Sequence, residues 1–427
     1  MKPGHGHVGL TLLLALAPLS AHGAANGDDR SRSLAEAAVR QNPSIAAIEA
    51  RVTALGEQAR RAGAWRDPVV AVEYSNVPVN SWALGDHPMS GLQLRLQQTF
   101  PFPGKTRLRQ EVARAEVKEQ EHLLEERKVQ LRAMVRRAYY SLALSRQLRV
   151  VTEGHIKLLG QLIDAVRVKY EVGKVGQHDL LRLTVLRDRL VDDLESFDRD
   201  DRALTASINA ALHRRTALPI RTPRRTPAPP PPARLEALVR AARAERPALA
   251  LLEQRARTAQ ARARQAQRER YPDITAWAGY RVRVEDGADP GTDFVMLGLS
   301  VPLTLFQNDR RWGTAQRAAR ARARAALLER GAELDRIRGE LGATLARWRR
   351  ADREARVYHT RLMPAAHRTL NATFAAYSVD RADFASLYQA QLQLLDFERT
   401  IRRAENTAAL GEVAAEALIG APARRKQ

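Results

Sequence analysis

The reading of this chain turns on Leu92-Gln93-Leu94-Arg95-Leu96-Gln97-Gln98-Thr99-Phe100-Pro101-Phe102-Pro103-Gly104-Lys105-Thr106. Its first half alternates, with Leu92, Leu94 and Leu96 on one side and Gln93, Arg95 and Gln97 on the other, the period of a half-buried strand. Its second half opens a charged helical pattern that meets no proline before Pro219. The stretch is a joint between a strand and a very long helix. Gly104-Lys105-Thr106 invites a phosphate-loop reading, but that motif needs a glycine where Thr99 stands. Pro101 and Pro103 also have no N–H to offer a phosphate. They set a strand exit and a helix entry instead.

Upstream, Leu34, Ala38, Ile45, Ile48 and Val52 recur at helical steps, interrupted at Asn42-Pro43. Val69 to Tyr74 reads as a strand, and Asn76 to Ser90, with Pro78, Gly85 and Pro88, as a turn-rich loop. Downstream, the helical pattern from Lys105 to about Tyr170 would span ~100 Å at 1.5 Å per residue. Leu131, Val135, Ala138 and Leu142 are spaced as a heptad seam, and so are Leu159, Ile163, Val166 and Tyr170. Tyr170-Glu171-Val172-Gly173-Lys174-Val175-Gly176 breaks the helix, and Asp179 is placed to cap the next one, whose seam of Leu183, Leu186 and Leu190 runs to about Leu212. The product is a long helical hairpin. Ala217 to Ala233 holds seven prolines and reads as an extended linker.

After the linker the order repeats. Pro43 corresponds to Pro247 and Pro68 to Pro272, both at an offset of 204. Strands are expected over Ile274 to Val284 and Asp293 to Pro302, separated by the loop Glu285 to Thr292. Val301-Pro302-Leu303 matches Phe100-Pro101-Phe102 at an offset of 201, and Tyr377-Ser378-Val379-Asp380 matches Tyr170-Glu171-Val172-Gly173 at 207. Near-constant offsets at four landmarks indicate internal duplication. The expected organisation is a signal peptide over 1–25, repeat one over 26–216, a Pro-rich linker over 217–233, repeat two over 234–418 and a basic disordered tail over 419–427. Within repeat two, helices are expected from about Arg311 and from Phe384 to Leu418.

Lys2, the apolar run Leu10 to Leu19 and the small residues Ala21, Gly23, Ala24 and Ala25 have the order of a secretory signal peptide; a helical anchor is the alternative. No cysteine is present, so disulfides, thiolate metal sites and a lipidated N-terminal cysteine are excluded. The net charge of +22 would suggest nucleic acid. However, the arginines of 255–270 and 317–330 are interleaved with Ala and Glu rather than aromatics, and the leader directs export, so no nucleic-acid partner is expected. His87, His122, His155, His178, His213, His359 and His367 show no i, i+3 or i+4 pairing, so no metal cage is visible and the histidines read as solvated or capping. Asp192-Asp193 and Asp200-Asp201 read as solvated carboxylates. Neither an enzyme nor a bound cofactor is expected.

Each repeat supplies two strands near the ~9–11 residues of a tilted membrane strand. Four strands cannot close a barrel, and open edges are not tolerated in lipid. Other copies must complete it: two would give a narrow barrel, three give twelve strands with the polar face lining the lumen. The hairpins then continue the barrel as a tube, a conduit for passive passage. The fold class is thus mainly α with a membrane β-barrel part. The alternative is a soluble periplasmic coiled-coil adaptor.

The two-fold repeat, Phe100-Pro101-Phe102-Pro103-Gly104-Lys105 and Tyr170-x-x-Gly173 followed by Asp179-Leu180-Leu181 resemble the TolC-type outer-membrane efflux family across essentially the whole mature chain. The Phe-Pro-Phe-Pro-Gly-Lys form is similar to the heavy-metal branch. The resemblance implies a homotrimer in the outer-membrane lipid, with helices in the periplasm. It also implies a periplasmic adaptor and an inner-membrane pump, commonly of the resistance-nodulation-division class, exporting metal ions or small toxic compounds. It places a barrel-to-tunnel joint at Pro101, Pro103, Gly104 and Pro302, and a periplasmic gate at Tyr170, Gly173, Asp179, Tyr377, Ser386 and Gln389. There Asp179 would accept a hydrogen bond from Tyr377 in the closed state. Ser386 and Gln389 stand where the family carries inward aspartates, and Ala382 where it carries an arginine.

Overall fold

A strand that leaves its ladder at Pro101 becomes a helix within four residues, and this change of period sets the architecture. The computed structural model describes residues 27–77, 79–82, 90–226, 228–284, 291–303 and 309–421. The expected signal peptide, Pro78, Gly85, His87, Pro88 and residues 285–290 and 422–427 lie outside them. The first pass through the element order gives α1 (Gly27–Gln41), α2 (Pro43–Arg61), β1 (Val69–Ser75), β2 (Gly91–Phe100), α3 (Lys105–Glu171) and α4 (Gln177–Ala211). The second gives α5 (Leu235–Glu245), α6 (Pro247–Glu269), β3 (Ile274–Val282) and β4 (Phe294–Ser300), then α7 (Thr314–Val357), α8 (Met363–Ser378) and α9 (Phe384–Ile419). Short π-helical turns, Asp309–Gly313 and Tyr358–Leu362, precede α7 and separate it from α8.

The pseudo-equivalent helix starts show how the sequence sets these elements. Pro43 and Pro247 each open a helix, where the missing N–H costs nothing. Asn42 caps α2 by accepting from Ser44 N at 2.9 Å, and its Nδ2 donates to Ala211 O at 2.8 Å. Arg246, in the matching place, donates to Ala417 O instead and pairs with buried Glu126 at 2.7 Å. The same tie between helix start and hairpin end is thus made twice with different side chains.

Helix α3 has 67 residues, about 100 Å, with a discontinuous stripe of buried apolar and small residues. Three apolar clusters run along the bundle. One lies near the hairpin turns (Leu159, Leu183, Leu387), one at α1, α3, α4 and α9 (Tyr139, Leu142, Ile208), and one at α5, α6, α7 and α9 (Leu249, Trp348, Ala408). Between α3 and the antiparallel α6, Arg264, Arg262 and Arg255 pair with Glu111, Glu116 and Glu119, which accounts for part of the arginine content.

Several expectations need correction. Residues 217–233 are extended but packed, not a free linker. Ile220 and Thr226 are buried, Arg146 and Gln147 bond the backbone at Ile220 and Pro223, and Trp348 donates to Pro229 O at 2.8 Å. A proline-rich segment lacks the N–H groups to build a ladder of its own, and its carbonyls are taken by side chains from the bundle. Residues 419 and 420 are not part of a tail, since Ile419 is buried and Gly420 caps α9 at φ 86°. Helix α4 begins at Gln177 with Gly176 at its cap, so Asp179 lies inside the first turn and does not cap it. Tyr170 ends its seam exposed. His155 is buried rather than solvated, held by Gln391 at 2.9 Å and Glu398 at 3.2 Å. Asp193 and Asp201 are not free either, pairing with Arg399 and Arg146.

Candidate functional site: a conduit wall, its joint and its turns

The four strands form one antiparallel sheet in the order β1-β2-β3-β4, with the repeats joined at the β2–β3 ladder. The register places Val72 beside Leu94, Leu94 beside Tyr280 and Tyr280 beside Val295, so one face is apolar from edge to edge. That face is uncovered, with Leu297 78% and Leu299 75% exposed. An apolar surface of this extent on an isolated sheet marks contact with lipid or protein. The other face is polar and internally bonded. Arg95 pairs with Glu73 at 2.6 Å and lies 4.9 Å over the Trp277 ring, Arg281 bonds Ser75, and the hydroxyls of Thr99 and Thr275 are 3.0 Å apart. Trp277 lies flat across Gly298, where a Cβ would come within 2.4 Å of the ring. Edges β1 and β4 are unpaired among the described residues.

At the joint, Gly104 takes φ 91°, which only glycine adopts without strain. The following Lys105 is buried, and its ammonium bonds Asp273 at 2.7 Å and lies 3.4 Å from Glu269. The Phe102 N–H also donates to Asp273, at 2.9 Å. Burial works against the Asp273 carboxylate, but the Lys105 and Phe102 hydrogen bonds outweigh it and hold the carboxyl below its usual range. Arg268 donates to Pro103 O at 2.9 Å and stacks on Phe102 and Tyr271, whose rings are themselves stacked at 4.7 Å. Lys105 therefore serves a structural ion pair, not a phosphate. Pro302, in the second repeat, lies exposed in an irregular segment after β4.

At the far end, both hairpin turns close in the same way. Gly173 N donates to Tyr170 O and Lys174 N to Lys169 O; Asp380 N donates to Tyr377 O and Arg381 N to Ala376 O. Each is a Schellman turn needing one left-handed residue, Gly173 at φ 72° and Asp380 at φ 60°. The carboxylate that Asp380 brings is taken by two lysines of the first repeat, Lys169 and Lys174. Lys169 also donates to Tyr377 O and sits 4.4 Å from the Tyr377 ring centre. The Lys169 ammonium, then Lys174, bring the Asp380 carboxyl down to about 2.

The structure brings Tyr377 and Asp179 near each other without joining them. The buried Tyr377 hydroxyl has no hydrogen-bond partner among the described residues. Burial first, then the charges of Asp179 and Asp380, push it above its ordinary range. Asp179 Oδ1 lies 3.1 Å from His178 Nε2. Ser386 donates its N–H to the cap residue Asp383 at 2.8 Å, and Gln389 lies one turn further along α9. Lys169, Lys174 and Asp380 were not singled out in the sequence. The repeat offset of 207 sets Asp380 against Gly173 and so contained the signal.

The family model described as outer membrane efflux protein matches residues 34–208, which covers most of the first pass through the fold. Over residues 34–208 the chain carries the pattern of the outer membrane efflux protein family. Among solved structures, the outer-membrane channel OprN superposes with a TM-score of 0.77 at 19% identity, covering 92% of this chain and 91% of that one. The outer-membrane protein VceC of Vibrio cholerae gives 0.73 at 19%, covering 92% and 97%. CusC, described in terms of transmembrane channel formation, gives 0.75 at 16%, covering 94% and 96%. At such identities these likenesses speak to the fold, and they extend it through both repeats. No curated protein sequence matches the chain. The family matched in the first repeat is that of outer membrane efflux proteins, and the folds matched through both repeats are those of outer-membrane proteins, OprN being described as a channel. No support remains for the soluble adaptor alternative, and the apolar sheet face speaks against it. Among the described residues no helix is long and apolar enough to cross a membrane.

Proposed function

We propose that three copies of this chain close a twelve-strand barrel, continued by a helical tunnel to the Schellman turns, and that the assembly is the passive exit duct of a tripartite efflux system. The observation that carries this reading is the four-stranded sheet with one apolar uncovered face and two unpaired edges. Because the strands alternate in direction, β4 of one copy meets β1 of the next antiparallel, and closure removes both edges. Energy comes from an inner-membrane pump of the resistance-nodulation-division type, reached through a periplasmic adaptor. The cargo is metal ions or small toxic compounds. The Phe-Pro-Phe-Pro-Gly-Lys joint, similar to that of the heavy-metal branch, favours metals.

The gate lies at the turns, formed by Tyr170, Gly173, Asp179, Tyr377, Ser386 and Gln389. Without inward aspartates at Ser386 and Gln389, cation selection there is weak. Recovery from the outer-membrane fraction as a detergent-resistant trimer on a mild gel, with conductance in planar bilayers, tests the duct; a soluble monomer would sink it. Conductance of Asp179→Ala and Tyr377→Phe channels tests the gate, and unchanged opening in both would remove these residues from it.

A further inference from the structure

The helix-side rim of the sheet carries a feature that a passive duct does not require. Trp65 is 59% exposed and packs edge-on against Phe100, ring centres 5.6 Å apart. Phe100 belongs to the apolar face by the strand alternation Leu92, Leu94, Leu96. The neighbouring Arg66 is fixed at this level because its carbonyl accepts from Gln98 Nε2 at 3.0 Å. On the opposite edge, the π-helical turn carries Arg310, Arg311 and Trp312, with the Arg311 guanidinium 4.9 Å over the Trp312 ring. Gln316, just beyond, bonds Gln267 near the end of α6, which sets this turn at the same rim.

Three of the rim carboxylates are committed to other cations, whereas the exposed Asp67 beside Arg66 is in no ion pair among the described residues. Glu269 and Asp273 hold Lys105 and Arg109, and Asp309 holds Arg317 at 3.1 Å. Arg66, Arg310 and Arg311 are exposed and make no ion pair among the described residues. β1 starts and β4 ends on this side of the sheet, so closure by neighbouring copies brings the Arg311 turn of one copy next to Trp65 and Arg66 of the next. The two half-patches become one belt.

We propose that Arg66, Arg310 and Arg311, set among Trp65, Phe100 and Trp312, bind the phosphates of anionic phospholipid in the periplasmic leaflet of the outer membrane. The proposal rests on the barrel reading above. The partner follows from continuity and charge. The belt borders the lipid-facing sheet, where indole rings settle at headgroup level. Guanidinium groups pair with phosphate oxygens in bidentate fashion. The apolar face above excludes a soluble anion, whereas a phospholipid satisfies both parts with one molecule. Anchoring here would fix the height of the tunnel relative to the membrane.

The test is native mass spectrometry of the whole trimer with phosphatidylglycerol and phosphatidylethanolamine of matched chains, beside quenching of tryptophan fluorescence by brominated lipid. The wild type should retain phosphatidylglycerol preferentially, and each arginine changed to Gln should weaken that retention about fivefold. The R66Q/R310Q/R311Q variant should lose the preference while remaining trimeric and conducting. A wild type without preference, or a triple variant that keeps it, overturns the lipid belt but leaves the channel standing. Loss of the preference in the presence of inorganic phosphate, with equal thermal protection by phosphate alone, would assign the arginines to a free anion and also overturn it. Failure of the wild type to form a trimer or to insert would overturn both readings.

Discussion

The two hairpin turns have one backbone and two chemistries. Tyr170–Lys174 and Tyr377–Arg381 make the same pair of Schellman hydrogen bonds around a left-handed residue. Glycine fills that position at no steric cost in the first. In the second Asp380 tolerates it, at a strain of about 1–2 kcal/mol for a typical L-residue. The two joints differ in the same sense. The first is locked by Lys105, Asp273 and Arg268, whereas Pro302 in the second is held by nothing comparable among the described residues. The two turns share their backbone geometry, and in turns and joints alike the charged contact is supplied at one copy only. A polar contact that survives in only one repeat is therefore the better candidate for a specific role.

The largest effect expected is at the joint. Asp273→Ala leaves the Lys105 ammonium buried with Glu269 alone, at 3.4 Å. Removing one partner of a buried pair costs about 3 kcal/mol or more. Pro302→Ala should stay within about 0.5 kcal/mol, as for ordinary exposed sites. Denaturant titration of both variants decides the point, and equal losses would break the comparison. The folded-state pKa of Asp273 is depressed, so its contribution is present above the ordinary value of 3.8 and lost as pH falls below it. Unfolding midpoints of wild type and Asp273→Ala should therefore converge in acid.

Next comes the charged tie between the turns. Asp380→Gly makes the second turn like the first, relieves the left-handed aspartate and frees Lys169 and Lys174. If the tie holds the turns shut, the variant keeps its fold and opens more often in planar bilayers, with Asp380→Asn between it and wild type. No change in opening for either would leave Asp380 as a turn residue only. With its carboxyl at about 2, Asp380 stays ionised at every pH above the ordinary 3.8. The tie is lost only as pH falls toward 2. Opening controlled by it should be flat from mild acid through neutrality, and a step within that range would mean that another group controls it.

Periodicity made the fold legible, because long elements have strong periods. The strand at Leu92 to Leu96 and the helix from Lys105 to the Tyr170 turn were written in the sequence to within a residue or two. Pairs distant in the chain were not written there. Nothing near Lys105 announces Asp273, and the sequence of 217–233 gives no hint of the Arg146, Gln147 and Trp348 side chains that take its carbonyls. Asp179 was misplaced as a cap because glycine at position 176 leaves no side chain to mark the boundary, and helix ends are set by backbone angles as much as by residue type. A gate was expected only through resemblance, and the contact that the resemblance implied, Tyr377 to Asp179, is unmade.

That unmade bond gives the smallest expected effect and the sharpest discrimination. The Tyr377 hydroxyl is buried without a partner, so its removal in Tyr377→Phe deletes a group whose desolvation is uncompensated. Stability should hold or rise by up to about 1 kcal/mol, while the Lys169 contact with the ring face persists. A structural tyrosine stops there, with conductance unchanged. A gating tyrosine does more. If the closed channel tightens until the hydroxyl reaches Asp179, Tyr377→Phe raises opening with no loss of stability, and Asp179→Asn, which removes the charge that makes the bond strong, raises it comparably. Combining the two should then add little beyond either alone, since both remove one bond. Additive effects would mean that the residues act separately, and that the Lys169–Asp380 tie alone carries closure at this end of the tunnel.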